Sequence, residues 1–106
     1  MMRLICAMAL ACGVFAAPAF GKGDPAAGEV LVYTCTGCHG IVGQRNIYPH
    51  YHVPKIGGQN YDYLVNALKA YREGTRQHPT MRAQGESLSD EDIANIAAFL
   101  STEVQP

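Results

Sequence analysis

The sequence contains little of what marks several classes of protein. It has no tryptophan, only 16% charged residues, and eight basic against nine acidic side chains in 106 positions. Without an excess of positive charge, the chain lacks the electrostatic surface on which nucleic-acid binding depends. No apolar run reaches the roughly eighteen residues of a membrane-spanning helix, so no transmembrane segment is predicted. The length allows one small domain.

Residues 1–21 have the organisation of an export signal. Arg3 supplies a positive charge, an apolar stretch follows it, and either Ala19 or Gly21 would present a small residue to a signal peptidase. We therefore predict that residues 1–21 are a cleaved signal peptide and that residues 22–106 form the mature domain.

The mature chain would retain few residues that can build or cross-link a core. Two of the four cysteines leave with the signal peptide, so Cys35 and Cys38 remain. Met81 becomes the only methionine, and Phe99 the only phenylalanine. Because domains of this size usually depend on disulfides, a metal or a cofactor, we expect the core to be completed by something other than its own side chains.

Hydrophobic periodicity and capping residues predict three helices in the mature chain. Asp24 before a proline and Ser89 before three acidic residues are typical N-caps, and Gly74 suits the position after a helix end. The predicted helices run from Pro25 to the cysteine segment, from after Asn60 to Glu73, and from after Ser89 to about Thr102.

The remaining segments, residues 41–59 and 75–88, show no period and are predicted to be irregular. Loops of that length are uncommon in a small domain unless they wrap something. Since no β alternation and no internal repeat is visible, the predicted fold class is all-α.

The segment Cys35–His39 carries the chemistry. Its sequence, CTGCH, matches the C-x-x-C-H pattern of covalent c-type haem attachment. Residues three apart on a helical turn share a face, so both sulfurs can reach one porphyrin. The histidine that follows then places an imidazole beneath the iron as the proximal ligand.

Two other chemistries use a C-x-x-C pair. A thioredoxin-like thiol site needs strands in a βαβ setting, and none are predicted. A zinc site needs a second pair of ligands, which His50 and His52 could supply only at a spacing shorter than usual. Haem attachment is therefore the favoured interpretation, with zinc and thiol chemistry as the alternatives.

The mature chain also resembles the short bacterial class I cytochromes c, small monohaem electron carriers of the periplasm. The resemblance runs from Gly28 to Ser101. It rests on Cys35–Gly40 (CTGCHG), Val53–Gln59 (VPKIGGQ) followed by Tyr63 and Leu64, Tyr71–Gly74 (YREG), Met81, and Leu88–Ile93 (LSDEDI).

This resemblance implies a cytochrome c fold of about three helices and two long loops wrapped around one covalently bound haem c. It implies that Cys35 and Cys38 bind the porphyrin and that His39 and Met81 bind the iron. The family also places a proline carbonyl, here that of Pro54, as the acceptor for the second ring nitrogen of the proximal histidine.

The sixth iron ligand is open on the residues alone. Met81 lies in an aperiodic stretch without apolar neighbours, which suits a ligand better than a core methionine. His78 is the main alternative. His50 and His52 are expected to be solvated or capping residues, and they lie in residues 41–53, a segment that departs from the family pattern.

The predicted function is one-electron transfer between redox partner proteins in the periplasm, by a protein that is not an enzyme. A first alternative is a haem subunit held by a larger dehydrogenase. A second is a ligand-binding or sensing haem protein in which the distal ligand is labile. We expect no nucleic-acid partner.

Overall fold

The computed structural model describes residues 22–40, 45–46 and 51–102. The predicted signal peptide, residues 1–21, and His50 lie outside the described residues. The described elements are α1 (Pro25–His39), β1 (Arg45–Asn46), β2 (Tyr51–His52), α2 (Tyr61–Glu73), α3 (Pro79–Glu86) and α4 (Asp90–Thr102). None of these helices is long and apolar enough to cross a membrane.

The first and last helices cross closely at a glycine. A Cβ added at Gly28 of α1 would lie 1.9 Å from the main-chain oxygen of Asn95 in α4. The same crossing is closed by a polar contact, because the backbone N–H of Asp24 donates to the side-chain oxygen of Asn95 over 2.7 Å. Asn95 is buried, and this bond satisfies a backbone donor at the start of α1.

The core lies between α1, α2 and α4. Ile93 and Ile96 of α4 are almost fully buried, and each such side chain contributes about 1.5–3 kcal/mol relative to exposure. One continuous buried cluster consists of Val32, Leu64, Ile96, Ala97 and Leu100. These few aliphatic side chains are a small core for a domain of this length, as the composition predicts.

The predicted ends of α2 are confirmed. The side chain of Asn60 accepts a hydrogen bond from the backbone N–H of Tyr63 over 3.0 Å and so caps the first turn. Gly74 follows the last turn with a φ of 82°, a left-handed conformation that glycine adopts at little cost.

The described residues contain four helices, so the prediction of three is wrong. The additional helix, α3, occupies residues 79–86 of the segment predicted to be irregular. Its sequence has no apolar stripe, so periodicity could not reveal it. Pro79 occupies its first position, and an exposed ion pair joins Arg82 to Glu86, four residues apart, at 2.8 Å. Gly85 lets it approach α2, since an added Cβ would lie 3.0 Å from the backbone nitrogen of Arg72.

The other segment predicted to be irregular, residues 41–59, contains a short antiparallel pair of strands among its described residues. Arg45 pairs with His52, and Asn46 pairs with Tyr51. Two residues in each strand are too few for an alternation of side chains to be read from sequence. The all-α fold class is confirmed.

An ion pair at the start of α4 makes a small part of the stability pH-dependent. The Arg72 guanidinium donates to the Asp90 carboxylate over 2.6 Å, and this hydrogen bond holds the pKa of Asp90 below its ordinary value. A carboxyl group with a lowered folded-state pKa stabilises the fold above its unfolded pKa and loses that contribution as the pH falls through the folded value.

We therefore expect Asp90→Asn to lower the free energy of unfolding slightly at neutral pH, with the difference from the native protein vanishing in acid. Urea titrations of the haem-loaded protein at several pH values measure this. Glu91→Gln is the matched control, because Glu91 lies in the same first turn and makes no ion pair with the described residues. Equal effects of the two variants would show that only the helix dipole, and not the Arg72 contact, is involved.

Candidate haem site

His39 is the last residue of α1, and its ring is held by a backbone carbonyl. Its Nδ1 lies 2.7 Å from the main-chain oxygen of Pro54. Since a carbonyl can only accept, Nδ1 carries the proton, and a neutral ring then has its lone pair on Nε2. Proline contributes a carbonyl without an N–H, and its constrained φ makes the acceptor rigid. The contact leaves one imidazole nitrogen oriented and free to bind a metal.

The two cysteines lie on the last turns of the same helix. Cys35 is half-buried and Cys38 is exposed, and no disulfide joins them. Burial raises the pKa of the Cys35 thiol, whereas thiol–disulfide enzymes need a lowered thiol pKa. The Cys35 thiol therefore lacks the lowered pKa of a redox nucleophile.

An apolar pocket opens beside these groups. Its lining includes Cys35 and His39 together with aliphatic residues from α1, from the segment after β2 and from α4. Its lining residues are Val32, Cys35, Thr36, His39, Gly40, Ile56 and Leu100. A sulfur nucleophile, an oriented imidazole and an apolar wall are the combination that a flat, largely apolar macrocycle with a central metal requires.

The described residues do not form a conventional zinc site. No group of three or more His, Cys, Asp and Glu side chains within the described residues is arranged to hold a metal ion. His52 is exposed on β2, and His50 lies outside the described part of the chain. Within the described part of the chain, no second pair of ligands is therefore assembled around the cysteines.

Met81 lies in the first turn of α3 and is half-buried. It is not among the residues that line the pocket around His39. Its backbone N–H donates to Nδ1 of His78 over 3.3 Å, so His78 caps the helix that carries Met81. The structure therefore brings His39, Cys35 and Pro54 together and places Met81 on a separate helix.

Sequence reasoning missed several residues of this region. Ile56 lines the pocket, although its only sequence signal was membership in the Val53–Gln59 motif. Thr36 lines the pocket from between the two cysteines. Arg76 is exposed, and its guanidinium lies 4.7 Å from the ring centroid of Tyr71.

Comparison with known proteins identifies the family. The family model for cytochrome c matches residues 25–103. Cytochrome c-554(548) of Halomonas halodenitrificans is 45% identical over 84 residues, which cover 76% of this chain and 98% of that protein. The chain belongs to the cytochrome c family. This cytochrome carries one covalently attached haem c and is an electron carrier, and Cys35 and Cys38 fit the attachment motif of the family.

Two further relatives show the range of proteins that share the domain. The crystal structure of reduced recombinant cytochrome c4 from Pseudomonas stutzeri matches with a TM-score of 0.56 and 27% identity, covering 76% of this chain and 50% of that one. The cytochrome subunit of sulfide dehydrogenase from Chlorobaculum tepidum is 30% identical and covers 82% of this chain and 76% of that protein. This cytochrome thus spans about half of the cytochrome c4 chain.

Proposed function

We propose that this cytochrome is a periplasmic one-electron carrier with His39 and Met81 as axial ligands, and that it passes electrons between redox partner proteins. Cys35 and Cys38 would hold the haem by thioether bonds. The 2.7 Å contact between His39 Nδ1 and the Pro54 carbonyl, beside an apolar pocket, is the observation that carries the proposal.

The role of the Pro54 contact is to tune the proximal ligand. A hydrogen bond from Nδ1 fixes the ring plane and increases the basicity of Nε2, the atom that would bind the iron. When bound, the haem supplies reversible one-electron cycling of its iron between Fe(III) and Fe(II). The protein supplies the orientation, the covalent link and the surroundings.

The apolar wall would keep the surroundings of the metal nearly unchanged when its charge changes. Val32 and Leu100 are buried, and Ile56 is half-buried. None of these side chains has a dipole that must turn when the charge on the metal changes. Such surroundings favour electron transfer, and we propose that the protein is not an enzyme.

Met81 is proposed as the distal ligand, and the geometry of His78 supports this choice. His78 uses Nδ1 to accept from the Met81 backbone, which gives its ring a structural task at the start of α3. A thioether is a soft, neutral ligand that favours ferrous iron, so His/Met coordination raises the reduction potential above that of two imidazoles.

A second candidate function is that of a haem subunit in a dehydrogenase. Val30 is 75% exposed and Tyr33 is 82% exposed, one turn apart on the outer face of α1. A pair of exposed apolar side chains can form part of an interface. The sulfide dehydrogenase subunit that shares the domain is an instance of such a protein.

Three measurements on the haem-loaded protein, expressed with its leader in a host that matures c-type haem, separate these functions. A free carrier elutes alone, is oxidised and reduced reversibly by one electron, and does not bind CO in the ferrous state at neutral pH. Stoichiometric co-purification of a larger chain would instead support the subunit. Rapid CO binding would support a ligand-binding or sensing haem protein with a labile distal site.

A further inference from the structure

His78, the residue before α3, contacts both the first turn of that helix and a side chain of α2. His78 has an extended backbone, with φ −161° and ψ 103°, and its Nδ1 accepts a hydrogen bond from the Met81 N–H over 3.3 Å. Its carbonyl oxygen accepts from the backbone N–H of Arg82 over 2.8 Å. Side chain and main chain of one residue therefore satisfy two donors in the first turn of the helix that carries Met81.

The ring of His78 is also held from the side by α2. It meets the ring of Tyr71 edge to face, with the centroids 6.2 Å apart and the planes at 78°. The guanidinium of Arg76 lies over the Tyr71 ring at 4.7 Å and donates to the Tyr63 hydroxyl over 3.3 Å. These contacts restrict the ring that caps Met81, because edge-to-face and cation–π contacts both have preferred geometries.

We propose that His78 is a positioning residue for the distal ligand: its imidazole, held by Tyr71, keeps the first turn of α3 folded and so keeps Met81 in place. The inference rests on the proposed ligation of the iron by Met81. Histidine is an unusual N-cap, since serine, threonine, aspartate and asparagine are the preferred residues. The aromatic ring adds the contact to Tyr71, which none of those residues could make.

Loss of the cap should favour the state in which Met81 is off the iron. Replacing a capping residue by alanine shifts a helix end toward unfolding by roughly two- to thirtyfold in the equilibrium constant. An external ligand that competes with Met81 binds only the open state, so its apparent affinity rises in proportion to the open fraction. We expect His78→Ala to lower the apparent dissociation constant of imidazole for the ferric protein by about fivefold.

The test is an imidazole titration of the ferric, haem-loaded protein, followed in the visible spectrum. His78→Asn is the rescue variant, because the Oδ1 of asparagine occupies the place of Nδ1 and accepts from the same backbone N–H. Its affinity should lie between those of His78→Ala and the native protein, because asparagine restores the cap but not the contact to Tyr71. Ser89→Ala is the matched control, since Ser89 caps α4 by accepting from the Asp92 N–H over 3.0 Å.

The imidazole affinities of His78→Ala and Ser89→Ala decide whether the cap acts on Met81. The proposal is supported if His78→Ala alone binds imidazole more tightly while Ser89→Ala, equally weakened in urea, does not. It is overturned if both cap variants change the affinity equally, or if His78→Ala leaves it unchanged. Failure of Met81 ligation itself is recognised separately, because the native ferric protein would then lack the far-red band of an iron–methionine bond.

Discussion

Met81→His is expected to lower the reduction potential on the order of 0.2 V while the haem remains attached, within the roughly 0.8 V over which axial ligands move haem potentials. The thioether of Met81 stabilises ferrous iron, whereas a second imidazole stabilises the ferric state. The covalent attachment should be unaffected, because Cys35 and Cys38 lie on α1 and Met81 lies on α3. Spectroelectrochemical titration of the purified variant measures the shift.

His52→Ala is the control for this experiment. His52 is exposed on β2, and its loss should leave the potential and the visible spectrum unchanged. If the potential of Met81→His equals that of the native protein, Met81 is not the ligand. If the visible spectrum of His52→Ala differs from that of the native protein, this would point to a histidine as the distal ligand instead.

Gly28→Ala is expected to destabilise the fold by about 1–3 kcal/mol or more, the range found when atoms are added to a close-packed contact. The added Cβ would lie 1.9 Å from the Asn95 main-chain oxygen and 2.9 Å from the Phe99 Cβ. Because the first of these atoms belongs to the backbone of α4, relief requires the two helices to separate. The partly buried hydrogen bond from Asp24 to Asn95 would be strained by the same movement. Urea unfolding of the haem-loaded protein gives the free energy.

Gly37→Ala is a matched control on the same helix. An added Cβ at Gly37 meets no other described part of the protein within 4 Å, so the substitution adds no clash between the packed helices. Alanine is favoured over glycine in a helix by about 1 kcal/mol, and the control should be neutral or stabilising. Opposite signs for the two substitutions would assign the cost to the α1–α4 crossing, and a stable Gly28→Ala would refute a close crossing there.

Local signals were enough to predict three of the four helices. Asn60 and Ser89 each stand before an apolar pattern with the period of a helix. Asp24 stands before a proline as a typical N-cap, and Gly74 marks a helix end. The remaining helix, α3, could not be predicted in this way, because Met81 is surrounded by polar residues and by Pro79 and Gly85. Its stability comes from contacts to α2 and from the His78 cap, which are tertiary and unusual features.

The part of the haem site that lies within one short segment of sequence could be predicted. Cys35, Cys38 and His39 follow from their spacing, because one helical turn sets their geometry. The contact of Pro54 with His39 joins residues 15 apart and was expected only from the family resemblance. The pocket residue Leu100 and the bridge from His78 to Tyr71 depend on how helices pack, which the spacing of residues does not specify.

The most direct test of the account is the visible spectrum of the ferric protein, recorded before and after denaturation. We predict a weak far-red charge-transfer band from iron–methionine bonding, and haem that remains on the unfolded chain through Cys35 and Cys38. Covalent haem without that band would reopen the distal site in favour of His78 or an exchangeable ligand. Haem released on denaturation would contradict the covalent attachment on which the whole interpretation depends.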